Sequence, residues 1–416
     1  MPLSWCSLVI LSLQLLQMLK RHFKGLEAIT VIEPKEVPQP FKKIKSKGSS
    51  CGDLAGQLPL LQTALVVKSF DDELDVSKDI RIPHQLNDFE VLIQNKYVGL
   101  NHVDWKSKTY RFNIYSFPWI NGRESSGLVV KRGKKVDGVR FPIGTEVFIA
   151  STSYRNLESS TFQEYTVFDS RLVWRIPEER VAGGTFRKKF GLDFAGGIGV
   201  GLVTAGSALS PFIKYERTTS EPIEKKNIVI WGGSSSVGIY AIQLARSSGS
   251  FDKIIAVSSA KYTSYLEELG ATHVIDRMKG ESIISKEVGD LCAEGVHYGL
   301  DTISKSTATS LFRILQNGPN YEKTLVCLVD GPDSALASEQ TNIAVEKVNV
   351  KRFHEDISYG ESFVRYTSQL LESDALKPIR GLRIFKGLDN FGHSIAIGLR
   401  ELKEHGAGAE KFVVGI

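Results

Sequence analysis

One stretch narrows the fold of this chain more than any other. Asn227 to Trp231, a short apolar run, leads into the turn Gly232-Gly233-Ser234-Ser235-Ser236-Val237-Gly238, and a helix carrying Ile239, Ile242 and Leu244 on apolar positions follows at once. Glycines at such a turn let backbone N–H groups and a helix N-terminus approach a pyrophosphate, where the positive end of the helix dipole favours the phosphate charge. A glycine cluster alone says little, since a purely structural turn has the same composition. Strand, glycine turn and helix in this order, inside a longer series of the same kind, point to a nucleotide site on a parallel sheet.

The longer series is present. Apolar strand patterns fall at Asn227 to Trp231, Lys253 to Val257, His273 to Ile275, Gly299 to Asp301, Thr324 to Val329 and Glu346 to Lys351, with helical patterns at Val237 to Ser247, Tyr262 to Leu269 and Ser306 to Gln316. Buried strands joined by helices predict an α/β, doubly wound parallel sheet. Upstream the texture differs: Thr63 to Lys68, Glu90 to Leu100, Gly127 to Lys131, Glu146 to Ala150 and Phe162 to Phe168 read as short strands between turns, almost without helical periodicity. That pattern predicts a small, partly open β-barrel. Beyond Arg352, helical patterns at Gly360 to Glu372 and Ser394 to Glu404 and a last strand, Lys411 to Val414, return to the first domain. A chain of 416 residues exceeds what one core normally fills. The expected division is residues 1–60, a leader and linker; 61–190, the barrel; 191–352, the nucleotide domain; and 353–416, the return to the barrel.

The second strand of the α/β series ends at Ser258-Ser259-Ala260-Lys261-Tyr262. Sites that take NAD usually present a carboxylate here to the ribose 2′-hydroxyl. None is available, and Ser258, Ser259, Lys261 and Tyr262 can instead hydrogen-bond and neutralise a 2′-phosphate, so NADP(H) is the expected cofactor. The alternative is that Lys261 and Tyr262 are solvated first-turn residues of the next helix.

Charge and cysteine content exclude several other classes. The net charge of +5 is mild, and much of the basic excess sits in the first fifty residues, so no nucleic-acid footprint extends over the body. The four cysteines are scattered without a C-x-x-C pair, which supports neither a zinc ribbon nor a redox dithiol and fits a reducing, cytoplasmic setting. Leu3 to Leu19 is apolar and is followed by the basic run Lys20 to Lys24. Its length is at the lower limit of a spanning helix. Three readings stay open: a membrane anchor, an interfacial helix giving peripheral membrane association through residues 1–48, or a leader that never forms structure. Pro34 to Gly56, rich in Lys, Pro, Ser and Gly, reads as a flexible linker.

The body from Leu61 to Ile416 resembles the medium-chain dehydrogenase/reductase superfamily, in particular its fungal quinone-oxidoreductase-like and enoyl-reductase-like members. The resemblance rests on Asn101-His102-Val103-Asp104-Trp105, Gly122-Arg123-Glu124-Ser125-Ser126-Gly127, Ile143-Gly144-Thr145-Glu146-Val147, Thr161-Phe162-Gln163-Glu164-Tyr165, Thr204-Ala205-Gly206 and Trp231 to Gly238, in that order. It implies a Rossmann domain inserted in a GroES-like catalytic domain, an active site in the cleft between them, a small-molecule electrophilic substrate and a homodimer. Zinc-dependent relatives supply a cysteine in the segment matching Val98 to Asp104 and a histidine in a G-H-E motif. This chain has no such cysteine and reads Gly122-Arg123-Glu124, so no metal is expected.

Without a Lewis acid, the implied reaction is NADPH-dependent reduction of an activated C=C bond or a quinone. Hydride goes to the β-carbon, charge moves to the carbonyl oxygen, and a donor or solvent supplies the proton. Asn101 and Asp104 match the family's N-x-x-D element, which gives Asn101 a positioning role against a plain structural turn and makes Asp104 structural. Tyr110 is the candidate proton donor, with aromatic packing as its alternative and Tyr115 as a second tyrosine in the same loop. Thr204 matches the position that contacts the nicotinamide end of the cofactor, or else it caps a turn. His102 is a lone turn histidine of a kind that is usually not catalytic. A catalytically silent, membrane-associated adaptor of the same fold is the competing reading of the whole chain.

Overall fold

The computed structural model describes residues 29–32, 58–151, 156–181, 184–215, 225–317, 319–337, 342–386 and 390–416. The apolar stretch Leu3 to Leu19, its basic flank and the linker Pro34 to Gly56 lie outside them. Among the described residues no helix is long and apolar enough to cross a membrane.

Six parallel strands form the nucleotide sheet in the order His273–Asp276, Phe251–Ser258, Lys226–Trp231, Tyr298–Asp301, Lys323–Cys327, Ile343–Lys347. The order reverses between Lys226–Trp231 and Tyr298–Asp301, and a doubly wound sheet opens its ligand crevice at the carboxyl ends of the strands at such a reversal. The helix after the glycine turn, Ser236–Ser248, buries a continuous block from Val237 to Ala245 and ends at Gly249, which takes φ 67°. This left-handed stop favours glycine.

The other domain is a GroES-like barrel built around the strand Glu90–Gly99, which pairs with Glu124–Arg132 and Tyr165–Asp169. The last strand of the chain, Glu410–Gly415, runs antiparallel to it with Val414 opposite Val98, and Gly381–Phe385 lies parallel to that last strand. The C-terminal segment therefore completes the barrel sheet. Outermost, Ile29–Ile32 adds a further parallel strand. This lies inside the segment expected to be leader and linker. Its run of four β-branched residues, Ile-Thr-Val-Ile, is a strand former, a local signal the compositional reading of that segment passed over.

Two other elements depart from the sequence reading. The sixth strand of the nucleotide sheet is Ile343–Lys347, set by its register from Lys323↔Ile343 to Cys327↔Lys347, where Glu346 to Lys351 was expected. Val348 and Val350 are thereby left to line the cleft. The barrel segment also contains a helix, His102–Thr109, whose only fully buried members are Asp104 and Ser107. Having no apolar stripe, it carries no helical periodicity to read.

The two parts of the catalytic domain are joined by packing far apart in sequence. Trp174 stacks between Phe148 and Phe353, with ring centroids at 5.2 and 5.5 Å, and its indole N–H donates to Thr367 Oγ1 at 2.8 Å. Thr367 belongs to the helix Ile357–Glu372 of the returning segment. The buried helix Gly199–Leu209 carries the chain toward the nucleotide domain, and any Cβ at Gly206 would overlap the Phe363 ring.

Candidate active site

A cleft of about 1750 Å³ runs between the two domains. Gly232, Ser234, Ser235, Ser236 and Val237 line its floor. Gly232 takes φ 86°, and a Cβ built there would overlap Thr302 and Ile303, so a side chain is excluded on both conformational and steric grounds. Gly233 and Gly238 do not face the cleft. A Cβ on Gly238 would overlap the carbonyl oxygen of Gly232, and one on Gly233 would crowd Ala256 at 2.8 Å, so these two glycines set how closely helix, turn and sheet pack. Ser235 caps the helix: its Oγ accepts from Gly238 N at 3.0 Å and lies 3.0 Å from Thr302 Oγ1. The helix opens onto the cleft with a backbone cradle of the size and polarity that suit a pyrophosphate.

Ser258, Ser259, Lys261 and Tyr262 line the cleft beside this cradle, joined by Arg277 from just beyond the third strand. Ser258 is 2% exposed and its Oγ has no hydrogen-bond partner among the described residues. A buried hydroxyl in that condition fits a ligand group that completes it. Arg277 escaped the sequence reading, although a residue just past the carboxyl end of a parallel strand is where such a contact is expected.

On the opposite wall stand Asn101, His102, Arg123 and Lys411, with Thr204 from the interdomain helix. The loop from Gly99 places Asn101 before the helix His102–Thr109, and its backbone N–H donates to Asp104 Oδ2 at 2.9 Å. Behind Asn101 lies a closed polar cluster. Lys411 Nζ sits 2.6 Å from Glu124 Oε1 and donates to Asn101 Oδ1 at 2.8 Å and to the Leu100 carbonyl at 3.0 Å. Asn101 Nδ2 donates to Glu124 Oε1 at 2.8 Å, and Glu124 Oε2 accepts from Val200 N at 2.8 Å. Both members of the ion pair are nearly inaccessible, at 4% and 0% side-chain exposure, so the pairing is what makes the two charges tolerable. Glu124 is thus neutralised by a residue from the last strand, although Arg123 is its neighbour in sequence and equally a candidate partner for it or for another nearby carboxylate. Arg123 instead bears on Asp104. Burial pushes the Asp104 carboxyl up to about 7, against the opposing pull of the Arg123 charge and the Asn101 amide. His102 also lines the cleft, but burial and the Lys106 and Lys411 charges push it down to about 4, and its Nδ1 accepts from Trp105 Nε1 at 3.2 Å.

Tyr110 does not reach the cleft. It follows the helix at its C-terminal end, is 64% exposed and lies against Trp105 at 6.1 Å between ring centroids. The chain reverses through Arg111 and Asn113, both at positive φ, and this turn delivers Phe112 and Asn113 to the cleft in its place.

Residues 87–178 match the alcohol dehydrogenase GroES-like domain and residues 236–333 match the zinc-binding dehydrogenase domain. The chain carries the two domains that make up the medium-chain dehydrogenase/reductase fold. It is 27% identical over 381 residues to the trans-enoyl reductase ccsC of Aspergillus clavatus, covering 86% of this chain and 98% of the relative. Similarity to the uncharacterized protein YNL134C of Saccharomyces cerevisiae reaches 30% over 231 residues, 54% of this chain and 60% of the yeast protein's length. The fold superposes on a quinone oxidoreductase of Pseudomonas syringae with a TM-score of 0.64 at 17% identity, over 85% of this chain and all of the other. The two matching regions are thus, by their descriptions, a GroES-like domain and a dehydrogenase domain.

The second matching domain is described as zinc-binding, yet the donor set on this wall of the cleft does not suit zinc. Arg123 and Lys411 are cations without a lone pair to offer, and Asn101 has both amide ends engaged. Among the described residues no group of three or more His, Cys, Asp or Glu side chains gathers where it could hold a metal ion. What the sequence reading missed here is Lys411: its pattern value is that of a closing strand, and only the sheet pairing brings it to Asn101.

Proposed function

We propose that this protein reduces an activated C=C bond, as in an enone or enoyl group, or a quinone, using NADPH and no metal. The observation that carries the reading is the pairing of the two cleft walls. One holds the glycine cradle with the Ser258, Ser259, Lys261, Tyr262 and Arg277 rim, and the other holds Asn101 beside the buried Arg123 and Lys411 charges. The first wall has hydroxyl and cationic groups for a 2′-phosphate and no carboxylate at the end of the second strand. The names carried by the Aspergillus and Pseudomonas relatives point the same way.

When bound, NADPH supplies the hydride. The protein's own contribution is electrostatic: Asn101 offers an N–H to the oxygen on which charge develops, and the cationic side of the buried cluster favours that charge. His102, held down at about 4, is neutral at physiological pH, and Asp104 lies behind the wall, so neither delivers a proton directly to the cleft. Solvent is the proton source in this scheme. Incubating the purified chain with NADPH or NADH and a panel of enones and quinones tests it. The expected result is NADPH-dependent turnover; failure to bind NADPH sinks it, and NADPH binding with no turnover of any acceptor favours the silent adaptor.

A further inference from the structure

The Glu124–Lys411 pair does more than neutralise itself. A carboxamide can be rotated by half a turn at almost no steric cost, exchanging its donor and acceptor ends. At Asn101 the two ends meet opposite charges: Oδ1 receives the Lys411 ammonium at 2.8 Å and Nδ2 gives one hydrogen to Glu124 at 2.8 Å. Rotating the amide would set NH₂ against an ammonium and C=O against a carboxylate. The ammonium itself is saturated, its three hydrogens going to Glu124, Asn101 and the Leu100 carbonyl. One amide hydrogen remains, on Nδ2, with no acceptor among the described residues, and Asn101 borders the cleft.

We propose that Glu124 and Lys411 are positioning residues that lock the polarity of the Asn101 amide, so that the wall of the cleft presents a hydrogen-bond donor, never an acceptor, to the oxygen of a bound carbonyl or quinone substrate. The last part rests on the reductive function proposed above; the lock itself does not. The device places a fixed dipole where a metal ion would otherwise supply polarisation. It also explains why a buried ion pair is kept in a wall that an apolar pair could fill. Oxygen that gains negative charge in the transition state interacts with such a donor more strongly than the ground-state carbonyl does.

The test uses the full chain and a double variant, Glu124→Gln with Lys411→Met, which removes both charges together and strands neither. The lock is read first without turnover. In the wild type the two Asn101 side-chain N–H resonances, assigned through Asn101→Asp, are expected to be widely separated in shift, and in the double variant to move together. The hydrogen not bound to Glu124 is expected to shift when a saturated ketone is added to the NADP⁺ complex. Unseparated wild-type resonances overturn the lock whether or not the protein is a reductase, and no response to the ketone in a protein that turns over an enone or quinone overturns its presentation to the substrate oxygen. With an accepted enone or quinone, the double variant is expected to lose at least about tenfold in kcat, with KM and the NADPH dissociation constant held within about twofold. Unchanged kcat overturns the proposal, as does a loss of kcat that follows a loss of NADPH affinity, which marks a structural role only. Lys411→Arg, which keeps the charge and can still donate to both partners, is expected to recover most of the activity; no recovery overturns the charge-based lock.

Discussion

Lys261 and Arg277 come from the ends of two neighbouring strands and meet at the same rim of the cleft. If they neutralise a 2′-phosphate, Lys261→Ala and Arg277→Ala each raise KM for NADPH about tenfold or more and leave that for NADH nearly unchanged, since a hydrogen bond to a charged group is worth about 1.5–3 kcal/mol. Steady-state kinetics with both cofactors checks this, and equal losses for both contradict it. Gly238→Ala acts differently. Its methyl overlaps the Gly232 carbonyl, so the cradle must open, and we expect about 1–3 kcal/mol of destabilisation together with weaker binding of both cofactors. Tyr110→Phe is expected to keep kcat within about twofold, because an exposed side chain beyond the cleft transfers no proton. Of these positions, the turn residues and Ser258 to Tyr262 could be proposed from sequence because motif and strand end fall within one short segment. Tyr110 was misplaced because one positive-φ turn, at Arg111 and Asn113, decides which side chain faces inward, and neither residue is a glycine that would have announced it.

At the scale of elements, sequence is legible where a pattern alternates or repeats and silent where burial is complete. The helix Ser236–Ser248 was expected at nearly its true limits from an apolar face following a glycine turn. Gly199–Leu209 was invisible as a helix, for ten of its eleven residues are buried and no polar face marks the period. The first five nucleotide-domain strands fall close to their expected places. The sixth slipped because Val345, Val348 and Val350 offer an apolar signal over a longer stretch than the sheet pairs, and register with Lys323–Cys327 settles the choice. The contact between the barrel and the returning helix lends itself to a direct measurement. Thr367→Val leaves the Trp174 indole N–H buried without its acceptor, and the expected loss is about 1–3 kcal/mol, read as a lower urea midpoint with an unchanged m-value. A fall in m-value would instead show that the two segments unfold separately.

For the molecule as a whole, opposing titrations shape the dependence of stability on pH. His354, packed between Phe168 and Phe353, is pushed down by burial to about 4. Between its ordinary 6.5 and that value the unfolded chain binds the extra proton, so the stability tied to a neutral His354 is complete above 6.5 and is lost as pH falls toward 4. His102 contributes in the same direction. Asp104 has the opposite sign: raised from 3.8 to about 7, it favours the fold at low pH and loses that contribution as pH rises through its folded value. Going from about pH 7 to about pH 5, His354 should subtract on the order of 1–2 kcal/mol. His354→Phe, compared with wild type by urea unfolding at both values, is expected to flatten the slope by that amount, and an unchanged slope refutes the assignment.

Asn101 and Lys411 stand 310 positions apart in the chain, and their hydrogen bond closes the polar cluster. The polarity of this wall is thus set by strand pairing across the sheet and by no local segment, so a peptide cut from around Asn101 carries the amide without the cation that meets it.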